Sequence, residues 1–273
     1  MRIVRISPPR EAPAASDDTL RDPVFAMLEE GSLRVLSNAP WEGGVPTGEA
    51  FPIGPSGLQG DAPAGAFHLL APVAPSKIVC VGRNYAAHAK ELGNDVPKEP
   101  LLFFKPPSAL IGDGGTIVLP PESERVEHEA ELGVVIGRRC KGVSPEQARE
   151  HIFGLTCVGD ITARDLQRAD GQWARAKGFD TFCPTGPWIE TALDPKDLRI
   201  SCSVNGVVKQ DGRTSRMLFP VDVLISYASR VMTLEPGDLL VTGTPEGVGP
   251  LVHGDRLEIT IEGLGTLGCA VRK

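Results

Sequence analysis

The segment EHEAE at 127–131 places two glutamates, Glu129 and Glu131, at alternate positions just before an apolar run. Alternate side chains of a β-strand lie on one face, so the two carboxylates would be neighbours, with Leu132 and Val134 on the opposite, buried face. Because like charges repel, such a pair needs a cation between them. A hard divalent cation such as Mg²⁺ takes oxygen ligands and keeps open positions for water. The segment therefore indicates a metal site, and the alternative is a solvated edge strand with surface acids.

Another carboxylate, Asp160, follows the apolar run 155–158 directly. A carboxylate at the end of a buried strand needs a partner, which makes Asp160 a candidate for a third metal ligand. Arg164 and Gln167 come four and seven residues later, on one face if this segment is helical. An arginine can hold a carboxylate through two hydrogen bonds. The alternative is an aspartate that caps a helix, followed by a surface arginine.

A histidine and a glutamate, His88 and Glu91, are three residues apart in a short helix predicted over 86–92. Side chains at this spacing meet on one helical face. A carboxylate beside an imidazole orients the ring and raises its basicity, which suits a general base that activates water. Tyr85, one of only two tyrosines, immediately precedes the helix. The alternative is an ordinary surface contact between His88 and Glu91.

Two lysines and a glycine-rich loop give weaker signals. Lys105 ends an apolar strand, and Lys177 stands among small and aromatic residues in AKGFD. The loop GTPEGVG at 243–249 does not match the P-loop pattern, which excludes phosphate binding of that kind. Its backbone N–H groups and the hydroxyl of Thr244 can still bind a small anion. A simple turn is the alternative for this loop.

The elements that must position these residues are mostly strands. A strand over Ile3–Ile6 opens the chain, followed by a hairpin of Val24–Glu29 with Leu33–Leu36. Asn205-Gly206 supplies the positive φ angles of a type I′ turn and predicts a second hairpin. Further strands are expected at 77–81, 101–104, 116–119, 132–136, 155–161, 256–261 and 266–271. Many strands, few helices and no regular βαβ alternation indicate a β-rich α+β fold.

Two further helices are expected in the second half of the chain. Pro145 begins the first of them, with Ser144 as its N-cap. The second is amphipathic and spans Pro220–Met232. Its apolar face consists of Val221, Leu224, Ile225, Ala228 and Val231. The Gly- and Pro-rich stretch before residue 70 predicts a small N-terminal domain and linker at 1–70, with a catalytic domain at 71–273.

Composition narrows the class of protein. A chain of 273 residues suits one large domain, or one domain with a small companion. The net charge, 28 − 35 = −7, disfavours a nucleic-acid partner because such surfaces are basic. No apolar stretch approaches the roughly 18 residues of a membrane span, and no signal-peptide core is present, so we expect no membrane partner. There are six cysteines, most of them in apolar runs and none with CxxC spacing, which indicates free buried thiols in a reducing cytoplasm.

Taken in order, seven segments resemble the fumarylacetoacetate hydrolase family, in particular bacterial members with a small N-terminal domain. They are GRNYAAHAKELG (82–93), FFKPPSALIG (103–112), EHEAELGVVIG (127–137), GDITARDLQ (159–167), AKGFDTFCPTGPW (176–188), VNGVVKQDG (204–212) and LEPGDLLVTGTPEGVG (234–249). The likeness runs from about Lys77 to Val271. It departs at Gly159, where asparagine is common in the family, and we expect this to alter a hydrogen bond beside the metal ligands rather than the metal.

The resemblance implies a mixed β-sandwich roll, a homodimer and a set of site residues. A Mg²⁺ or Mn²⁺ ion would be held by Glu129, Glu131 and Asp160. A water-activating dyad on a mobile lid would be formed by His88 and Glu91, and Lys177 would stabilise developing negative charge. Substrate contacts would come from Arg83, Tyr85, Lys105, Arg164, Gln167 and Thr244.

Members of this family act on β-diketo acids and related 2-oxo acids, which leaves several reactions open. The leading hypothesis is a metal-dependent hydrolase that cleaves a carbon–carbon bond in an acylpyruvate-like 2,4-dioxo acid, because the His88–Glu91 pair is intact. The second is an isomerase or decarboxylase of the 2-hydroxyhepta-2,4-diene-1,7-dioate type or one acting on oxaloacetate, as in aromatic catabolism. The third is a metal-binding module that has lost catalysis.

Overall fold

The chain is built mainly from β-strands. The computed structural model describes residues 1–8, 22–53, 58 and 67–273. Its N-terminal strands are β1 (Arg2–Ser7), β2 (Val24–Glu29), β3 (Ser32–Leu36), β4 (Pro46–Pro52) and β5 (His68–Leu70). The later strands are β6 (Ile78–Gly82), β7 (Leu101–Lys105), β8 (Leu110–Ile111), β9 (Thr116–Val118), β10 (Val126–His128), β11 (Ala130–Ile136), β12 (Ile152–Gly159), β13 (Thr162–Ala163), β14 (Cys183–Glu190), β15 (Arg199–Val204), β16 (Val207–Arg213), β17 (Leu239–Val241), β18 (Gly249–Pro250), β19 (Arg256–Ile261) and β20 (Gly265–Arg272). The helices are α1 (Ala86–Glu91), α2 (Pro145–Ala148), α3 (Arg164–Asp170), α4 (Ala174–Gly178) and α5 (Val221–Val231).

These strands form a large mixed sheet and two smaller ones. The large sheet has the order β4-β3-β2-β1-β14-β12-β11-β17-β6-β7, with β5 beside β1 and β8 beside β14. A five-stranded sheet has the order β16-β15-β19-β20-β9, and β13-β10-β18 form a third. Most pairs are antiparallel, but β17–β6, β14–β8 and β20–β9 are parallel. The predicted β-rich α+β class with mixed sheets is confirmed.

The main hydrophobic core joins the large sheet, the five-stranded sheet and α5. Leu132, Val134 and Ile136 of β11 share it with Ile259 of β19 and Leu224 of α5. The other face of the large sheet is covered as well, by a second cluster of buried side chains. Strand β11 therefore lies in the interior on both faces, and all its residues are buried. This burial explains why its sequence is nearly continuous in apolar residues after the acids.

Both predicted hairpins are present. Asn205 and Gly206 have φ angles of 53° and 75° between β15 and β16, as the type I′ turn requires. At the N-terminus, β2 and β3 form the other hairpin, and β1 pairs with β14 so that Ile3 lies opposite Ile189. The N-terminal strands thus extend the large sheet, while a domain boundary at residue 70 stays a prediction.

The long helix α5 largely agrees with the sequence pattern. It follows Pro220, and its side chains at 221, 224, 225 and 228 are buried as predicted. The prediction is wrong for Val231, which is 60% exposed, because the helix ends there and Met232 is already extended. Helix α2 begins with a capping box, in which Ser144 is the N-cap and Gln147 is the third helical residue. Within the described part of the chain, no helix has both the length and the apolar character needed to cross a bilayer.

Candidate active site

Three carboxylates converge at one end of β11 and β12. Glu129 lies between β10 and β11, Glu131 is the second residue of β11, and Asp160 directly follows β12. The antiparallel register sets Ala130 opposite Gly159, and Asp160 N donates a 2.9 Å hydrogen bond to the carbonyl of Glu129. Ligand oxygens of the three acids all lie within 4.8 Å of one another. All three are buried, so the solvated edge strand is not correct. The capping aspartate with a surface arginine is also wrong, because Ala163 is the N-cap of α3 and Arg164 is buried.

Three buried cations surround the acids. Lys177 Nζ donates to Glu129 Oε2 at 2.8 Å and to Asp160 Oδ2 at 2.5 Å. Lys105 Nζ donates to Asp160 Oδ1 at 2.7 Å. Arg164 donates to Glu129 Oε1 at 2.5 Å through Nη2, and to Glu127 through Nε at 2.7 Å. Buried charges are stable only when paired and hydrogen-bonded in this way, so these cations fix the positions of the carboxylates.

The buried cations do not compensate the negative charges of the three acids equally. Burial raises the pKa of Glu129, but Lys177 and Arg164 outweigh it and hold that pKa below its usual range. Burial and the nearby charges of Asp160 and Glu129 raise the pKa of Glu131 well above its usual value. Glu131 accepts a hydrogen bond from Gly243 N, and none of the described lysines or arginines forms an ion pair with it. The cluster therefore lacks positive charge on the side of Glu131.

This donor set fits a hard divalent cation. All ligand atoms are carboxylate oxygens, which Mg²⁺ and Mn²⁺ accept. A cation beside Glu131 would favour its ionised form, which burial and the neighbouring acids disfavour. Gly159 is the position at which the sequence departs from the family pattern. A Cβ there would meet Ile259 Cδ1 at 3.2 Å and Pro184 Cγ at 3.3 Å. Its neighbours are therefore apolar side chains.

The carboxylates open into a cavity of about 340 Å³, and His88 forms part of its wall. His88 is buried on α1, and its Nδ1 lies 3.4 Å from Glu91 Oε2 across one helical turn. Glu91 also accepts hydrogen bonds of 3.0 and 3.2 Å from Gly247 N. The glycine-rich loop therefore holds the carboxylate that faces the imidazole. Because His88 is buried beside the cavity, the pair is more than a surface contact.

Of the six predicted substrate contacts, four line the cavity and two do not. Arg83, Arg164, Gln167 and Thr244 lie on the wall. Lys105 lies behind Asp160, with both of its hydrogen bonds directed to Asp160 and the carbonyl of Ile161. Tyr85 is buried, and its hydroxyl has no hydrogen-bond partner among the described residues. Whether any of the six contacts a substrate stays a prediction.

Three features of the site were not singled out from the sequence. Glu127 is buried against Arg164, and Arg168 and Trp173 line the cavity. Arg168 follows Arg164 by one helical turn, which was a usable signal because the two lie on one side of α3. Trp173 contacts Arg83, whose guanidinium carbon lies 5.9 Å from the ring centroid.

Comparison with known proteins agrees with this geometry. Residues 77–272 match the family described as "Fumarylacetoacetate (FAA) hydrolase C-terminal". The 5-carboxymethyl-2-hydroxymuconate delta-isomerase from Mycobacterium smegmatis, whose crystal structure is known, is 43% identical to this chain with a TM-score of 0.84, and the match covers 100% of this chain and 99% of that one.

Two further relatives are a tautomerase and a hydrolase. Oxaloacetate tautomerase FAHD2A, a mitochondrial protein of Bos taurus, is 46% identical over 211 residues, which cover 72% of this chain and 67% of that protein. The fumarylpyruvate hydrolase of Pseudomonas aeruginosa, solved in complex with Mn²⁺ and pyruvate, is 33% identical with a TM-score of 0.69, covering 83% and 92% of the two chains. These relatives are enzymes: an isomerase, a tautomerase and a hydrolase. The match over residues 77–272, together with relatives of this identity, places the chain in the fumarylacetoacetate hydrolase family.

Proposed function

We propose that the protein is a divalent-metal-dependent hydrolase that cleaves a carbon–carbon bond in an acylpyruvate-like 2,4-dioxo acid. The observation that carries this proposal is the position of His88, which lies on the wall of the same cavity as Glu129, Glu131 and Asp160 and faces Glu91 at 3.4 Å. A base for water and a site for a 2-oxo acid would then share one small space. Hydrolysis needs both.

The cofactor in this proposal is Mg²⁺ or Mn²⁺, held by Glu129, Glu131 and Asp160. When bound there, the ion would act as a Lewis acid that polarises the oxygens of the keto acid and spreads the negative charge that cleavage releases. The Mn²⁺ and pyruvate named for the Pseudomonas fumarylpyruvate hydrolase support this choice.

His88 would deliver the water. Its Nδ1 faces Glu91, so Nδ1 carries the proton and Nε2 is left as the nitrogen that can accept one. Water oxygen bonds to the acyl carbonyl carbon while His88 takes the water proton. The carbon–carbon bond then breaks, its electron pair stays with the 2-oxo acid fragment as an enolate, and a proton returns to that carbon. The products are a carboxylic acid and a 2-oxo acid.

The cavity wall supplies groups for the substrate carboxylates and developing charge. Lys177 is the ammonium beside Glu129 and Asp160, and we propose that it stabilises negative charge on the substrate. Arg164 and Gln167 are joined by a 2.7 Å hydrogen bond and would contact the 2-oxo acid. Thr244 lies on the same wall.

A second candidate function is isomerisation or tautomerisation of a 2-oxo dicarboxylic acid. Arg83 and Arg168 line the cavity, and within the described residues neither guanidinium has a hydrogen bond or an ion pair. Two unpaired guanidiniums suit a second, remote carboxylate. The isomerase and the oxaloacetate tautomerase among the relatives favour this candidate too. Proton transfer would then use His88 without an attacking water.

The two functions are separated by a product assay on the metal-free protein with Mg²⁺ added back. We expect acetylpyruvate to give pyruvate and acetate, and His88→Ala to lower this rate by about 10²- to 10⁴-fold, the usual contribution of a general base. The matched control is His68→Ala, at an exposed histidine on β5. Interconversion of the keto and enol forms of oxaloacetate without bond cleavage would favour the second candidate. Tight Mg²⁺ binding without turnover of any 2-oxo acid would leave only a binding module.

We also propose that the protein is a cytoplasmic homodimer that serves aromatic catabolism. The family likeness supports the dimer, and six buried, unpaired thiols are consistent with a reducing compartment. Light scattering coupled to size-exclusion chromatography tests the dimer: a mass of one chain would contradict it.

A further inference from the structure

A glutamine outside the cavity links three parts of the site. Gln210 is on β16, in the five-stranded sheet, and is completely buried. Its Oε1 accepts a 3.0 Å hydrogen bond from Ala130 N and lies 3.2 Å from His128 Nδ1. Its Nε2 donates to Thr244 Oγ1 and to Pro245 O, both at 2.8 Å. An amide has two acceptor positions and two donor hydrogens, so every hydrogen-bonding position of this side chain has a partner.

The orientation of this amide follows from its partners. The Ala130 N–H can only donate and the Pro245 carbonyl can only accept, so Oε1 must face Ala130 and Nε2 must face Pro245. His128 must then donate from Nδ1 to the same oxygen. One arrangement of hydrogens satisfies all four contacts, which makes the group rigid.

The residue held in this way, Ala130, lies between two of the proposed metal ligands. On one side its strand pairs with β12 through Gly159. On the other side β17 pairs with β11 only from Gly133 to Val135 and does not reach Ala130. There the side chains complete the ladder: Gln210 accepts from Ala130 N, and Thr244 Oγ1 donates to Ala130 O at 2.8 Å.

The same contacts hold the glycine-rich loop 243–249. Thr244 uses its only hydroxyl hydrogen on Ala130 O and accepts from Gln210, so its position is fixed by both. The preceding residue, Gly243, donates its N–H to Glu131. Gln210 therefore hydrogen-bonds both the backbone between the two glutamates and the loop that contacts Glu131.

We propose that Gln210, acting with Thr244, is a positioning residue that pre-organises Glu129 and Glu131 for the divalent cation. This inference rests on the proposed metal site. Gln210 does not touch the ligand oxygens, and it acts through the Ala130 backbone and the Gly243 loop. Groups that orient ligands in this way commonly change metal affinity by about 10- to 100-fold when removed.

The test is Mn²⁺ binding to the metal-free full-length protein, measured by titration with electron paramagnetic resonance. Gln210→Met keeps the length of the side chain and removes all four hydrogen bonds, and we expect it to raise the Kd for Mn²⁺ by about 10- to 100-fold. The matched control is Lys209→Met on the same strand, where the side chain is exposed, with an unchanged Kd. Cooperative unfolding in the presence of EDTA shows that each variant is folded.

Thr244→Val supplies a second variant. Because Gln210 and Thr244 are bonded to each other and to Ala130, the losses in Mn²⁺ affinity should not multiply: the double variant should lose clearly less than the product of the single losses. An unchanged Kd for Mn²⁺ in folded Gln210→Met would overturn the positioning role. Absence of Mn²⁺ binding in the wild type would instead overturn the metal site and, with it, this inference.

Discussion

Removing the ammonium group of Lys177 tests how the buried acids are kept stable. Lys177 is 2% exposed and bonds both Glu129 and Asp160 at 2.8 and 2.5 Å. Lys177→Met keeps the aliphatic stem and leaves the two carboxylates without their shared cation. Breaking a buried ion pair by removing one partner costs about 3–5 kcal/mol. Each acid keeps another partner, Arg164 or Lys105, so we expect a loss near the lower end, about 3 kcal/mol.

Added metal should reduce the stability difference between Lys177→Met and the wild type. A divalent cation among the acids would replace the missing positive charge, so the variant should gain more stability from Mn²⁺ than the wild type does. A tenfold lower Kd corresponds to about 1.4 kcal/mol of additional stabilisation at saturating metal. The wild type, in which Lys177 already neutralises part of the charge, should show the smaller gain.

The assay is urea unfolding followed by tryptophan fluorescence, with EDTA and with saturating Mn²⁺. Lys98→Met, at an exposed lysine, is the matched control and should unfold like the wild type under both conditions. The reasoning is refuted if Lys177→Met is as stable as the wild type in EDTA and both gain equally from Mn²⁺. That result would mean that Lys177 does not compensate the acids.

Three further predictions concern the rest of the fold. Burial raises the pKa of Asp113 despite its 2.7 Å hydrogen bond from Gly268 N, so the cost of ionising it is absent at low pH and grows as the pH rises through the raised pKa. The Tm of Asp113→Asn should therefore improve relative to wild type between pH 4 and 7, and a difference independent of pH would contradict this. Gly243→Ala combines a φ of 97° with a Cβ only 2.6 Å from Asn84 Cβ, so we expect a loss of about 2–5 kcal/mol in urea unfolding. Gly142→Ala, with a φ of 66° and open space around its Cβ, should lose only about 1–2 kcal/mol, and equal losses would refute the steric reasoning. Finally, all six thiols are buried, so they should react with Ellman's reagent only on the timescale of unfolding, and rapid reaction of any of them in the native protein would contradict their burial.

Local patterns were sufficient to predict several parts of the structure. The Asn205-Gly206 turn specifies its hairpin because few residue pairs accept two positive φ angles. The proximity of Glu129 and Glu131 could be expected from their alternate positions, whereas their convergence with Asp160 was implied by the family resemblance and depends on the pairing of β11 with β12. The hairpin and the alternation of the two glutamates depend only on residues close in sequence.

The charge balance of the site could not be read from such patterns. Lys177 on α4 hydrogen-bonds Glu129 across 48 residues, and Lys105 on β7 hydrogen-bonds Asp160 across 55, so each pairing depends on the packing of elements that are distant in sequence. Gln210 is in a hairpin whose neighbouring side chains are exposed, and its burial follows from the packing of two sheets. Tertiary contacts of this kind leave no periodic signal in the sequence.

The same reason accounts for the N-terminal strands and for Val231. Pairing of β1 with β14 joins residues nearly 190 positions apart, and no local feature of Arg2–Ser7 specifies that partner. The helical period placed Val231 on the apolar face of α5, but the helix ends there, so the residue is exposed. Helix ends are set by the chain that follows as well as by the pattern itself.

The most direct test of the metal site is calorimetric titration of the metal-free protein with Mn²⁺. We predict one ion per chain, with affinity lowered at least 100-fold in Glu131→Gln and in Asp160→Asn, and unchanged in Glu150→Gln at an exposed glutamate. Absence of binding in the wild type, or undiminished binding in the two site variants, would contradict the assignment of these carboxylates as the metal ligands.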